Sequence, residues 1–442
     1  MKKLLLILLC LPMIGFGQKL ISNYTTISSG IDGYGRPRIV LTANNYPLVI
    51  WRKDSSPKVL RASKWDGVSF STPYDILQEG ILPSSWDGPE VAAKGDTVYV
   101  VFTSTATVQS SIMLIKSFDG GLTFSDTIRV SENDPMHKFR MSNIAIKDDG
   151  NPVVSYMQYL LNWMEPKQMV NTSVNFGDTF MGSVEGSFLA PGEPCDCCKS
   201  SLVCSGNDVF LLFRNNDNNA RNSYISKSLD GGFSFTATAD MDDYNWMLNS
   251  CPATTPRGIL FQDSLFVIKR SGATGNNEIV YSNVNKIDLN YSYNRNIDFI
   301  NGIIQDYPEV TGNEDTIIVV WQDNREGIQD CYISFSLGGA LDFSESFAFT
   351  DTISGGQKMD PDVEYVNGEI HLVYLNSSQH KIVYVNAAFD ELSNIIEINN
   401  MRFNQNNVVK IDLLGREIIN GNNKPFLYIH DDGTVEKKII IE

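Results

Sequence analysis

The sequence predicts an all-β fold: a β-propeller of seven four-stranded repeats, followed by a small C-terminal β domain. Three observations carry this. A serine-led turn motif recurs every 54 to 56 residues, a β-rich run ending in a large side chain keeps the same beat, and the beat stops near residue 393.

The turn motif is clearest as "SFDGGLTF", with Ser117, Asp119, Gly121 and Phe124 at its marked positions. It returns as Ser228, Asp230, Gly232 and Phe235, and as Ser173, Asn175, Gly177 and Phe180 with an amide in the acid position. Weaker echoes begin at Ser63, Ser282 and Ser336, so the six serines are spaced by 54, 56, 55, 54 and 54 residues. The second marker counts seven: Trp51, Phe102, Tyr156, Phe213, Ile268, Trp321 and Tyr374. Each unit reads as short β runs punctuated by Gly, Asn and Asp, with no sustained helical period. Four-stranded units of this length stack face to face around a channel. The seventh unit stops one strand short after "HKIVYV", and "KLISNYTTISS" near the N-terminus supplies a spare β run. The propeller is therefore expected to span 19–392 and to close by borrowing that strand.

Strand order then places the turn motif. With strands A to D counted outward, A–B and C–D turns share one rim, while B–C loops and the links between blades share the other. The motif lies between the third and fourth runs, so Asp119, Asn175 and Asp230 belong to the first rim. A carboxylate there caps backbone N–H groups. Asn175 supports a scaffold role, because an amide keeps such contacts without titrating. The ring residues Phe124, Phe180 and Phe235 are expected to pack between blades.

The chain opens Met1-Lys2-Lys3, runs apolar from Leu4 to Ile14 and reaches Gly15-Phe16-Gly17, the pattern of a cleaved signal peptide over 1–17. That run is too short to span a membrane, and no transmembrane segment is expected in the mature protein. Cys10 leaves with the signal, and six cysteines remain for an oxidising compartment. A net charge of −17 argues against nucleic acid or anionic lipid as partner.

The pattern Ser-x-Asp-x-Gly-x-x-aromatic resembles the Asp-box of the sialidase and BNR-repeat superfamily. The resemblance implies a sialidase-like propeller, with six blades as the alternative to the seven units counted, and a substrate site on the rim opposite the Asp-boxes. It implies recognition, with or without hydrolysis, of terminal acidic sugars, and an exo-sialidase-like glycoside hydrolase if the protein is an enzyme. A non-catalytic glycan- or protein-binding propeller is the alternative.

That second rim collects Arg36, Arg38, Trp86, Asp87, His137, Arg140, Trp246, Asp306, Tyr307 and Asp360 before A runs. After B runs it collects Arg52, Arg214, Arg270, Asp323 and Arg325. A sialidase uses an arginine cluster for the substrate carboxylate, a tyrosine nucleophile and a carboxylic acid. "PRIV" is similar to a degenerate Arg-Ile-Pro motif without the proline after Ile39, which makes Arg38 the first candidate. Arg214 and Arg270 complete the cluster, Tyr307 is the candidate nucleophile and Asp87 the acid. Each of these charges also has a plain reading as a solvated or blade-bridging group.

"PCDCCK" and "NSCP" precede the fourth and fifth A runs, so Cys195, Cys197 and Cys198 are expected beside Cys251 on adjacent blades. Two disulfides suit the compartment. A thiolate Zn or Cu(I) site, with His137 or Met141 in reach, is the alternative, and otherwise no cofactor is expected. Cys204 and Cys331 read as buried free thiols.

The tail from 393 to 442 carries a β run, an Asn-rich turn and a hairpin. It resembles the type A C-terminal sorting domain of the type IX secretion system, through Asp412, Gly415, Arg416, Glu417, Asp432, Gly433, Lys437 and Lys438. The resemblance implies export through the periplasm, with the type IX machinery as partner, to the medium or the outer-membrane surface.

Overall fold

The computed structural model describes residues 20–30, 35–53, 58–77, 80–81, 87–104, 110–352 and 354–389, with three strands in the tail. Ser22–Ala388 forms one compact unit, and the chain ends fall in another.

After β1 (Leu20–Ser28), blade 1 runs β2 (Arg38–Leu41), β3 (Pro47–Lys53), β4 (Val59–Lys64) and β5 (Tyr74–Leu77). Blade 2 is β6 (Glu90–Lys94), β7 (Thr97–Thr103), β8 (Ile112–Ser117) and β9 (Ile128–Arg129). Blade 3 is β10 (His137–Ile146), β11 (Pro152–Leu160), β12 (Lys167–Thr172) and β13 (Val184–Glu185). A short β14 (Glu193–Pro194) precedes blade 4, which is β15 (Ser201–Ser205), β16 (Asp208–Asn216), β17 (Ser223–Ser228) and β18 (Ala237–Asp240). Blade 5 is β19 (Arg257–Phe261), β20 (Ser264–Ser271), β21 (Glu278–Asn285) and β22 (Arg295–Asn296). Blade 6 is β23 (Asp306–Gly312), β24 (Thr316–Asp323), β25 (Asp330–Leu337) and β26 (Phe347–Ala348). Blade 7 is β27 (Lys358–Val366), β28 (Glu369–Asn376) and β29 (Lys381–Phe389), with β1 as its outermost strand in the order β1-β29-β28-β27. The described residues thus form seven blades, not the six of the alternative.

The core lies between blades. Every large residue of the second sequence marker sits on the second strand of its blade and is buried: Trp51, Phe102, Tyr156, Phe213, Ile268, Trp321 and Tyr374. Those strands are apolar on both faces because each face meets a neighbouring blade. The cluster around Leu48, Val98 and Val100 joins blades 1 and 2, with Phe124 packed against it. Phe180 and Phe235 do the same between blades 2 and 3 and between blades 3 and 4.

All six serines of the ruler are buried, within the last four residues of a third strand or just after it. Ser117 Oγ accepts the Gly121 N–H at 2.8 Å and donates to Asp119 Oδ1 at 2.7 Å, while that oxygen also accepts from Leu122 and Thr123 N–H. Ser173/Asn175 and Ser228/Asp230 repeat the arrangement. Gly120 N–H bonds the Asp96 carbonyl and Gly231 N–H the Asn207 carbonyl, both in A–B turns. These turns therefore share one rim, as strand order requires.

In the tail, β30 (Val409–Asp412), β31 (Pro425–Ile429) and β32 (Val435–Ile439) form an antiparallel three-stranded sheet. Asp412, Lys437 and Lys438 fall on these strands. Gly415, Arg416, Glu417, Asp432 and Gly433 lie outside the described residues, as do the signal segment 1–17 and Trp86. No described helix is long and apolar enough to cross a membrane.

Candidate functional site

Each innermost strand carries one three-residue pattern near its start: Arg36-Pro-Arg38, Gly88-Pro-Glu90, Met141-Ser-Asn143, Lys199-Ser-Ser201, Thr255-Pro-Arg257, Tyr307-Pro-Glu309 and Asp360-Pro-Asp362. The pattern steps by 52 to 58 residues and has proline at its centre in five blades. It places two tiers of side chains at the rim opposite the Asp-boxes.

The inner tier is an ionic plug across the channel. Arg38 grips Glu90 through Nε and Nη2, each at 3.2 Å, and reaches Glu309 at 3.4 Å. Arg257 Nη2 lies 2.7 Å from Glu309 and 3.5 Å from Glu90. Lys199 Nζ crosses from blade 4 to bond Glu90 at 2.9 Å and the Gly88 carbonyl at 2.8 Å. Asn143 donates to Glu90 and accepts from Leu202 N–H, and Asp362 accepts from Ile39 N–H at 2.9 Å, tying blade 7 to blade 1. Burial works to raise the Glu90 carboxyl, but Arg38, Lys199 and Arg257 outweigh it and hold it well below the usual carboxylate range. Asp362 goes the other way: burial, joined by Glu309, outweighs Arg38 and lifts it to about 7.

The outer tier is aimed by backbone distortion. Met141, Tyr307 and Asp360 each sit at a register shift of the first hairpin, with φ of 60°, 49° and 52°. Arg36, just before β2, has φ 39°. Bulges of this kind re-aim a side chain, and left-handed non-glycine residues cost of order 1–3 kcal/mol each. Gly88 leaves the room Arg36 needs, since a Cβ there would fall 2.7 Å from the Arg36 Cβ. Arg36 lies 4.8 Å over the Tyr307 ring and 3.9 Å from Asp360. Arg36, Arg38, Arg257, Tyr307, Glu309 and Asp360 together line one small depression.

No family model and no curated sequence matches the chain. Solved structures do. A protein of unknown function from Dyadobacter fermentans DSM 18053 is 10% identical, with TM-score 0.50, over 84% of this chain and 99% of that one. A PL25 ulvan lyase is 9% identical, with TM-score 0.56, over 84% of this chain and 96% of that one. The NanB sialidase of Streptococcus pneumoniae is 10% identical, with TM-score 0.48, over 74% and 70%. The fold is a seven-bladed β-propeller like that of the ulvan lyase.

Of the arginines expected to cluster in this propeller, Arg38 is in the depression with Tyr307. Arg214 is not: it is buried, donates to the carbonyls of Arg221 and Arg270, and lies 5.0 Å from the centre of the Trp246 ring. Arg270 shares that ring at 5.5 Å and pairs with Asp306 at 2.6 Å, one residue from Tyr307. Arg36 and Arg257 stand where Arg214 and Arg270 were expected. "TPRGI" carries the same Pro-Arg as "PRIV", and aligning the A runs brings it out. Asp87 is buried outside the depression, both carboxylate oxygens without a hydrogen-bond partner, 4.0 Å from Lys199 Nζ. Burial raises the Tyr307 hydroxyl, opposed by Arg36.

The same rim holds the cysteines. Cys197 and Cys251 form a disulfide with Cα atoms 6.3 Å apart, linking the loops before blades 4 and 5. Cys195, Cys198, Cys204 and Cys331 are free. Cys195 Sγ accepts from Cys198 at 3.4 Å and from Arg221 Nη1 at 3.4 Å. The Cys198 bond leads in lowering the Cys195 thiol to about 7, against burial and with help from Arg221 and Arg214. Met141, Met157 and Tyr159 pack against Cys197. His137 pairs with Asp134 at 2.6 Å.

Proposed function

We propose that the protein recognises a terminal acidic sugar in the depression at the plugged end of the channel. The observation that carries this is the convergence of Arg36, Arg38 and Arg257 on one depression with Tyr307. Guanidinium groups suit carboxylate and sulfate geometry, and a tyrosine face suits a sugar ring. A PL25 ulvan lyase of similar fold, TM-score 0.55, has been solved bound to -[GlcA(1-4)Rha3S]-. All three arginines have carboxylate neighbours, Arg36 beside Asp360, Arg38 beside Glu90 and Arg257 beside Glu309, so a ligand anion would compete with these pairs.

Hydrolysis is the second reading, favoured by Tyr307 and the carboxylate of Glu309 lining the same depression, a nucleophile and a base of the types the chemistry needs. Sialoside turnover and glycan-array binding separate the two. Binding should fall at least tenfold in Arg36→Ala. Release of the terminal sugar, abolished in Tyr307→Phe, would make the protein a hydrolase. Binding without release makes it a recognition module, and neither binding nor release defeats the proposal.

For destination, the proposal is export across the inner membrane by residues 1–17 and across the outer membrane by residues 393–442, through the type IX machinery. The three-stranded sheet of the tail supports a discrete sorting module. Deleting 393–442 should strand the protein in the periplasm, and unchanged secretion would refute the assignment.

A further inference from the structure

Four cysteine sulfurs from two loops on adjacent blades lie within 4.8 Å of one another. Two disulfides need only two close pairs; here all six sulfur pairs are close. Cys195 is 3.8 Å from Cys197, 3.9 Å from Cys251 and 3.4 Å from Cys198. A tetrahedral zinc with Zn–S bonds of about 2.3 Å has sulfur–sulfur edges of about 3.8 Å. Cys195 therefore already stands about one tetrahedral edge from each of the other three.

We propose that Cys195, Cys197, Cys198 and Cys251, once the Cys197–Cys251 disulfide is reduced, form a tetrathiolate site for a single zinc ion. Their surroundings match that task. Four thiolates and Zn2+ carry a net charge of about −2, and the buried Arg214 and Arg221 lie beside the sulfurs, Arg221 donating directly to Cys195. Cys195 and Cys198 are fully buried, Met141 and Met157 pack against Cys197, and Cys251 lies at the solvent-exposed side of the cluster. Two residues stand between Cys195 and Cys198, the Cys-x2-Cys spacing of structural zinc sites. The pair now bonded, Cys197 and Cys251, has Cα atoms 6.3 Å apart, so side-chain rotation alone can separate its sulfurs.

The chemistry balances with an external dithiol. It loses two electrons and two protons to become a disulfide while Cys197 and Cys251 become thiols, and zinc then displaces the thiol protons. A metal in this position would pin the loops before blades 4 and 5 beside the candidate sugar site.

The test uses the mature protein reduced with a dithiol, desalted without oxygen and titrated with Co2+. One equivalent should give the intense visible bands of tetrahedral tetrathiolate cobalt, bleached by one equivalent of Zn2+. Native mass spectrometry should show one bound zinc. Cys195→Ser and Cys251→Ser should each abolish the tetrathiolate spectrum, while Cys204→Ser leaves it intact. Reduced wild-type protein that keeps its β circular dichroism but gives no such bands overturns the proposal. So does a spectrum unchanged in Cys195→Ser, or rapid formation of a second disulfide with zinc present. The wild-type titration is decisive even if a variant does not fold.

Discussion

Asp119 is a carboxylate used as a scaffold. Burial works against its charge, but hydrogen bonds from Thr123, Ser117 and the Thr123 and Leu122 N–H groups prevail and lower it to about 2. Asn175 makes the corresponding contacts, its Oδ1 accepting from Thr179 N–H and its Nδ2 donating to Thr179 Oγ1 at 2.9 Å. Asp119→Asn should therefore cost under about 0.5 kcal/mol in urea unfolding at pH 7, and Asp119→Ala about 1–2 kcal/mol. Because its native pKa is depressed, Asp119 contributes stability above pH ~4 that is lost as pH falls toward ~2. The Asp119→Asn variant should lack that part of the acid dependence, and an equal acid slope in both proteins would contradict this account. The scaffold role was legible in the sequence because one repeat had already made the substitution. The Arg214–Trp246–Arg270 stack was not, since nothing in a spacing tells which loop covers which guanidinium.

At the scale of elements, the openings of the seven innermost strands act as one device. The first tier locks blades together through Glu90, so Glu90→Gln leaves Arg38, Lys199 and Arg257 short of a buried counter-charge. It should cost about 3–5 kcal/mol, read as a lowered urea midpoint with unchanged m-value. Strand β27 carries the opposite burden. Burial, with Asp362 nearby, raises Glu364 to about 8, and burial with Glu309 raises Asp362 to about 7. Raised carboxyl pKa values mean the folded state holds protons that the unfolded chain has released, so their contribution is full below pH ~4 and is lost as pH rises through 7–8. Glu364→Gln should raise Tm at pH 8.5 and leave it unchanged at pH 4, and a gain of equal size at both would point to packing instead. These tiers were partly legible. The Pro-centred pattern keeps the same beat as the serine ruler, but its charges alternate in sign, so no single residue type marks it. Arg38 was found through one motif, and Arg257 was hidden because its equivalence to Arg38 rests on register, not identity.

The whole molecule was the most legible level, because a repeat states its own architecture: seven large-residue markers gave seven blades, and one missing strand gave the closure. Strand β1 comes from the opposite end of the chain to its neighbours β27–β29, so the ring is shut by non-local hydrogen bonds. Its buried Ile27 joins the cluster of Trp51, Val373 and Tyr384 that spans blades 7 and 1. The Asp362–Ile39 bond and the Arg36–Asp360 pair cross the same seam at the candidate rim. Loss of β1 would leave β29 as an unprotected edge, a template for intermolecular pairing. A mature chain lacking residues 18–28 should unfold at least ~5 °C lower and aggregate at micromolar concentration. Added peptide LISNYTTIS should restore part of that loss in a concentration-dependent way, because it binds the folded state at the vacant edge. If the truncated protein keeps its Tm and stays monomeric, closure rests on the plug at the rim, and Glu90→Gln becomes the change that opens the ring.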